Sequence, residues 1–148
     1  MKEGIVMEPV PINYLAVIVA AMASMLIGFV WYGPLFGKAW MKLSGIGSGK
    51  IDSTKDSSMG KRYILAFLGS LIMSYVLANA ILFVASYFKM SGIPAGLMSG
   101  FWNWLGFIAP VTLGAVLWEG KSWTLWVLMN GYYLISLLIM GIILSFWK

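Results

Sequence analysis

Four stretches of this chain carry no Asp, Glu, Lys or Arg: residues 9–37, 63–88, 90–118 and 122–147. Each is longer than the roughly 20 residues that cross a hydrocarbon core about 30 Å thick at 1.5 Å per helical residue. In hydrocarbon every backbone N–H and C=O must be paired within the protein, so runs of this kind predict helices. Four transmembrane helices are expected, at about 12–32, 63–88, 96–118 and 123–147. Composition agrees: 61% of the 148 residues are apolar and only 10% charged, far too few charges to cover a soluble domain of this length. The expected fold is all-α, an up-and-down bundle of four membrane helices forming one domain over residues 1–148.

The first stretch could instead be a secretory signal, because Ala21-Met22-Ala23 has the small residues of a cleavage site. Its leading segment sets Lys2 against Glu3 and Glu8, however, and so lacks the positive region such signals carry. An uncleaved span is expected. The chain contains no Cys and no His, which removes disulfides, thiolate chemistry, imidazole bases and the usual zinc and haem ligands. No cofactor and no metal are expected. The net charge of +5 sits beside apolar spans, so anionic lipid headgroups, and not nucleic acid, are its expected counter-charge.

Small residues mark how the helices should pack. In span one Ala16, Ala20, Ser24 and Gly28 recur every fourth residue, and in span two Ala66, Ser70, Ser74 and Ala78 do the same. Such stripes let helices approach where lipid tails give no hydrophobic drive, so spans one and two are expected to pair antiparallel. Between them, Gly33 and Pro34 turn the chain, and an interfacial helix is expected over about 34–43, with Pro34 in its first turn. Leu35, Phe36, Ala39, Trp40 and Leu43 would share one face and Lys38 and Lys42 another. Trp31, Tyr32, Lys38, Trp40 and Lys42 at this exit, and Trp123 at the start of span four, are expected interfacial anchors. Residues 44–60, rich in Gly and Ser, read as a flexible loop; Gly49-Lys50 lacks the flanking Gly and Ser or Thr of a phosphate loop.

Span three holds Gly106 and Pro110, and a kink is expected there because Pro110 has no N–H to give the carbonyl four residues back. Uncharged polar groups within or near the membrane are Asn79, Asn103, Thr112 and Asn130. They are the candidate intramembrane polar or ligand site, although each also serves as simple glue between helices. Asn79 should need a partner on another helix, since an unpaired amide in hydrocarbon costs on the order of a few kcal/mol. An internal repeat is also open: Asn13-Tyr14-Leu15 resembles Asn103-Trp104-Leu105, and Gly37-Lys38-Ala39-Trp40 resembles Gly120-Lys121-Ser122-Trp123, as in two parallel two-helix units. Lys38, Lys42, Lys50, Lys55, Lys61, Arg62 and Lys121 fall on one side against Lys2, Lys89 and Lys148 on the other, which predicts termini outside the cytoplasmic membrane.

Four segments together resemble a family of small bacterial membrane proteins grouped as domain of unknown function 1761. They are Ile12 to Val17, the stretch Trp31-Tyr32-Gly33-Pro34-Leu35-Phe36-Gly37-Lys38-Ala39-Trp40, Gly106 to Pro110, and Trp118 to Trp123. The resemblance implies a four-span membrane protein and brings no activity and no catalytic residues with it. From the residues, two functions stay open: a small oligomeric pore, carrier or ligand-binding bundle for a neutral solute or lipid, or a structural or accessory protein packing on itself or a protein partner. A proton-driven antiporter is disfavoured because no span contains an ionisable acid or base. Catalysis is not expected: Glu119, Lys38 and Lys121 are titratable groups beside the spans, and Glu119 with Lys121 reads as a surface cap. Membrane lipids and further copies of the chain are the expected partners.

Overall fold

In the computed structural model, which describes residues 11–46 and 58–147, each charge-free stretch forms a helix. α1 covers Tyr14–Val30 and is started by Asn13, whose Oδ1 accepts from the Ala16 N–H at 3.2 Å. α2 covers Gly37–Ser44, α3 Met59–Phe88, α4 Ile93–Asn103, α5 Ala109–Leu117 and α6 Trp123–Phe146. The apolar spans are Tyr14–Leu35, Met59–Phe88, Ile93–Leu117 and Trp123–Phe146. The shortest, 22 residues, reaches about 33 Å at 1.5 Å per residue, enough to cross a bilayer core. α3 begins four residues before the expected start of span two, because Met59 to Arg62 continue the same helix beyond the apolar run. Residues 47–57, the body of the expected flexible loop, lie outside the described residues.

Neighbours in sequence are neighbours in space, and the ring closes through α6. α1 touches α3 and α6, α3 touches α4, and α4 touches α6. The pairs run antiparallel: Ser74 Oγ donates to the Val17 carbonyl at 2.9 Å, and Tyr132 OH donates to the Ser24 carbonyl at 3.3 Å. The closest seam is α4 on α6. A Cβ placed on Gly96 would run into the Gly141 carbonyl, one on Gly141 into the Gly96 carbonyl, and one on Gly100 would meet the Leu137 carbonyl at 2.6 Å. Backbone lies on backbone there, which only glycine allows. Each span also buries one serine completely, Ser24, Ser74, Ser99 and Ser136. Ser99 Oγ donates to the Ala95 carbonyl of its own helix, whereas the Ser136 hydroxyl has no partner.

The two odd-numbered spans each contain a wide turn in which an N–H reaches back five residues instead of four. In the first, Trp31–Leu35, Phe36 N–H donates to the Trp31 carbonyl at 2.9 Å and Gly33 leaves helical geometry with ψ −105°. Pro34 is absorbed into this turn and does not open α2, so the interfacial helix starts at Gly37 and not at 34. Gly37 itself lies so near the first turn that a Cβ would stand 2.6 Å from the Tyr32 carbonyl. The second, Trp104–Ile108, lies just upstream of Pro110, which sits in the first turn of α5. Its physical cause is the expected one: with no N–H on Pro110 the Gly106 carbonyl loses its helical donor, and the helix widens so that Ala109 N–H bonds the Trp104 carbonyl. The matched motifs of the internal repeat sit in different places: Asn13 caps the start of α1, whereas Asn103 ends α4.

Candidate functional site

Polar side chains gather between α5 and α6, just beyond the second wide turn. Asn130, only 2% exposed, points from α6 at Thr112 on α5. Its Nδ2 donates to Thr112 Oγ1 at 2.9 Å and to the Trp126 carbonyl at 3.1 Å. Trp126 Nε1 donates to the same threonine oxygen at 3.1 Å. The threonine has one proton, and it goes to the Ile108 carbonyl at 2.7 Å, the shortest contact it makes. Asn130 Oδ1 lies 3.3 Å from that oxygen, and the Asn130 carbonyl accepts from Trp104 Nε1 at 3.2 Å. The cluster therefore meets most of its polar valences internally, which is what hydrocarbon demands.

Beyond the cluster, towards the turn between α5 and α6, is a hollow of about 240 Å³. Thr112, Trp126 and Asn130 form part of its wall, Ala115, Val116, Leu125 and Met129 make the rest apolar, and Glu119 and Lys121 stand at its rim. The turn closes by a bond from the Lys121 N–H to the Ala115 carbonyl at 3.1 Å, with Gly120 in the left-handed region at φ 67°, a position suited to glycine. Ser122 then starts α6, its Oγ accepting from the Leu125 N–H at 3.1 Å. Trp118 and Trp123 project outward on either side, 87% and 58% exposed. Indoles so placed mark headgroup depth, so the rim with Glu119 and Lys121 lies at the membrane surface and the cluster lies within. Among the described residues that line the hollow, Glu119 and Lys121 are the titratable ones.

Residues 15–145 match the model of a family described as "Protein of unknown function (DUF1761)". The chain belongs to that family. No curated protein and no solved structure matches it. The DUF1761 description supplies a membership and no chemistry, so what the site can do follows from its residues.

Of the four polar residues singled out in this DUF1761 chain, Thr112 and Asn130 come together and the other two do not. Asn103 Nδ2 donates to the Ser99 carbonyl at 2.8 Å and lines a separate, outward hollow with Leu77, Phe107 and Leu137. Asn79 Nδ2 donates to the Tyr75 carbonyl at 2.9 Å, on its own helix and not across to another, as its place in the span had suggested. Back-bonding of this kind satisfies the amide donor without any neighbour.

The exit of span one is wired into the bundle more than into its surroundings. Trp31 is half-buried, with Nε1 donating to the Leu128 carbonyl at 3.0 Å and its ring against Gly131. Tyr32 is packed edge-on between Tyr132 at 5.2 Å and Trp40 at 5.6 Å. Lys38, Lys42 and Trp123 project outward, and Trp40 is half-buried. Trp31 and Trp104 thus open the two wide turns in the same way, each giving its indole N–H to a carbonyl of α6.

The packing stripes divide differently from the expected pairing. Ala16, Ala20 and Ser24 are buried, as are Ser70 and Ser74, and Ala78 is half-buried. Ala66 is exposed: α1 and α3 part at this end, around a hollow that also takes Tyr32, Tyr63 and Tyr132. Gly28 accordingly faces Tyr132 of α6, whose hydroxyl would stand 3.1 Å from a Cβ there. Sequence alone gives Trp104, Trp126, Gly96 and Gly141 no role in the polar cluster or in the α4–α6 seam, although Gly96 and Gly100 have the four-residue spacing of a close helix contact.

Proposed function

We propose that this protein is a membrane-embedded binder of a lipid chain or a neutral amphiphile, held in the α5–α6 hollow. The observation that carries the reading is the combination at one place of an apolar hollow, a satisfied polar inner wall and a charged rim at headgroup depth. At about 240 Å³ the space exceeds the roughly 150 Å³ that holds a benzene in an apolar protein cavity, and is below the roughly 300–1,000 Å³ of a drug-sized site. A segment of one hydrocarbon chain suits it. A pore through a single copy is less well supported, since Ser24, Ser74, Ser99, Ser136 and Met140 fill the interior of the bundle. No catalytic step belongs to this reading.

The test is lipid retention. Purified protein, exchanged into a detergent of low lipid affinity, is expected to keep a stoichiometric phospholipid in native mass spectrometry. Ala115→Phe or Val116→Phe, which fill the hollow, should remove it while leaving helicity and melting temperature close to the parent. Retention unchanged in both folded variants overturns the proposal.

A second reading, self-association, is favoured by one feature. Asn79 lies on the same side of α3 as the outward-facing Ile72, Val76 and Phe83, which puts a polar group on a face that meets lipid or another chain. Cross-linking that captures a dimer, lost on Asn79→Leu, supports it. We propose further that the protein lies in the cytoplasmic membrane with α2 and the α5–α6 turn inside, the side on which Lys38, Lys42, Lys61, Arg62 and Lys121 gather.

A further inference from the structure

We infer that the α5–α6 rim selects a zwitterionic phospholipid whose head carries a primary ammonium, as in phosphatidylethanolamine. The inference rests on the binding reading above and names the ligand of that same hollow.

Its starting point is an electrostatic mismatch. The C-terminal end of a helix carries partial negative charge and the N-terminal end partial positive charge. Glu119 follows the C-terminal end of α5, and Lys121 precedes the N-terminal end of α6. Each charge therefore stands at a helix end of its own sign, an arrangement that folding alone does not favour. Both side chains are exposed, and both border the same hollow. The rim is thus polarised: carboxylate beside the end of α5 on one side, ammonium beside the start of α6 on the other. A phosphate with a tethered ammonium is its electrical complement, phosphate towards Lys121 and the start of α6, ammonium towards Glu119 and the end of α5. An anionic head such as phosphatidylglycerol would meet Lys121 equally well but leave Glu119 opposed. A choline head brings the charge but no N–H to donate.

The hollow cannot supply this discrimination. A chain leaving the bilayer for the hollow passes from one apolar medium to another, so burial gives little preference, and selectivity falls to the polar rim.

The experiment uses the whole protein with three lipids of identical chains, phosphatidylethanolamine, phosphatidylcholine and phosphatidylglycerol, competing in mixed micelles and read by native mass spectrometry. Phosphatidylethanolamine should be retained over phosphatidylglycerol by about two- to fivefold, the range an exposed charge pair supports. Glu119→Gln should bring that ratio close to one by lowering the retention of phosphatidylethanolamine. Lys121→Gln should lower retention of all three. A ratio that Glu119→Gln leaves unaltered, or equal retention of the ethanolamine and choline lipids, overturns the headgroup assignment while the hollow reading stands. Lipid that survives Ala115→Phe and Val116→Phe unchanged overturns the hollow reading itself, and the two failures are read in different variants.

Discussion

An amide inside hydrocarbon is tolerable only where its polar atoms are met from within, and Asn130 is met by Thr112 and Trp126. Interhelical hydrogen bonds in membranes are worth about 0.6 kcal/mol on average and up to ~1.7 kcal/mol, because the separated helices also find partners. Asn130→Leu keeps a similar volume and loses these bonds. It is therefore expected to lower stability by about 0.5–2 kcal/mol in a reversible detergent titration and still to fold. Loss of folded protein would show that the cluster holds α5 against α6 more strongly than its bonds imply. The sequence shows Asn130 and Thr112 as polar residues in apolar spans. It does not show that they meet, nor that Trp126 joins them, because an indole near a span end serves a lipid interface equally well and only the α5–α6 register decides. Trp31 makes the same point: it has the composition of an interfacial anchor and spends its N–H on Leu128.

At the scale of elements, one contact outweighs the rest. Forcing atoms into a packed seam typically costs 1–3 kcal/mol, and at Gly96 the obstacle is the backbone of α6, which no rotamer change relieves. Gly96→Ala is expected to destabilise by at least about 2 kcal/mol, more than Asn130→Leu. Gly106 is the control: a Cβ there has nothing within 4 Å, and alanine is the better helix former by ~0.5–1 kcal/mol, so Gly106→Ala should be neutral or mildly stabilising. Thermal melts of the two variants in one detergent check the ordering, and equal losses would refute the seam. The helices themselves are legible, since charge-free length decides them, and Pro110 marks where the third is irregular, in the form of a wide turn over Trp104–Ile108. The α4–α6 seam is not legible, because three spans offer small residues at four-residue spacing and spacing alone does not say which partner each stripe meets. The opening between α1 and α3 near Ala66 is hidden for a related reason: Tyr132, which borders it, comes from α6, and spacing within spans one and two does not reveal it.

For the whole molecule, the antiparallel arrangement puts α2, the start of α3 and the α5–α6 turn at one end, and the start of α1, Lys89 and the end of α6 at the other. The chain has no cysteine, so a single introduced one reports sidedness without background. With the proposed orientation, Ser91→Cys in intact cells should react with a membrane-impermeant maleimide, and Ser44→Cys should react only after lysis. The reverse pattern would invert the molecule and move the Glu119 and Lys121 rim to the outer leaflet. α6, which touches every other membrane span, is the part of the bundle least free to adjust. The Gly96 and Gly141 contact gives that constraint a step size. With no side chains between them to yield, α4 and α6 interlock like the teeth of a rack. Any travel of one along the other comes in steps of four residues, about 6 Å at 1.5 Å per residue, the interval that brings Gly100 to where Gly96 had been.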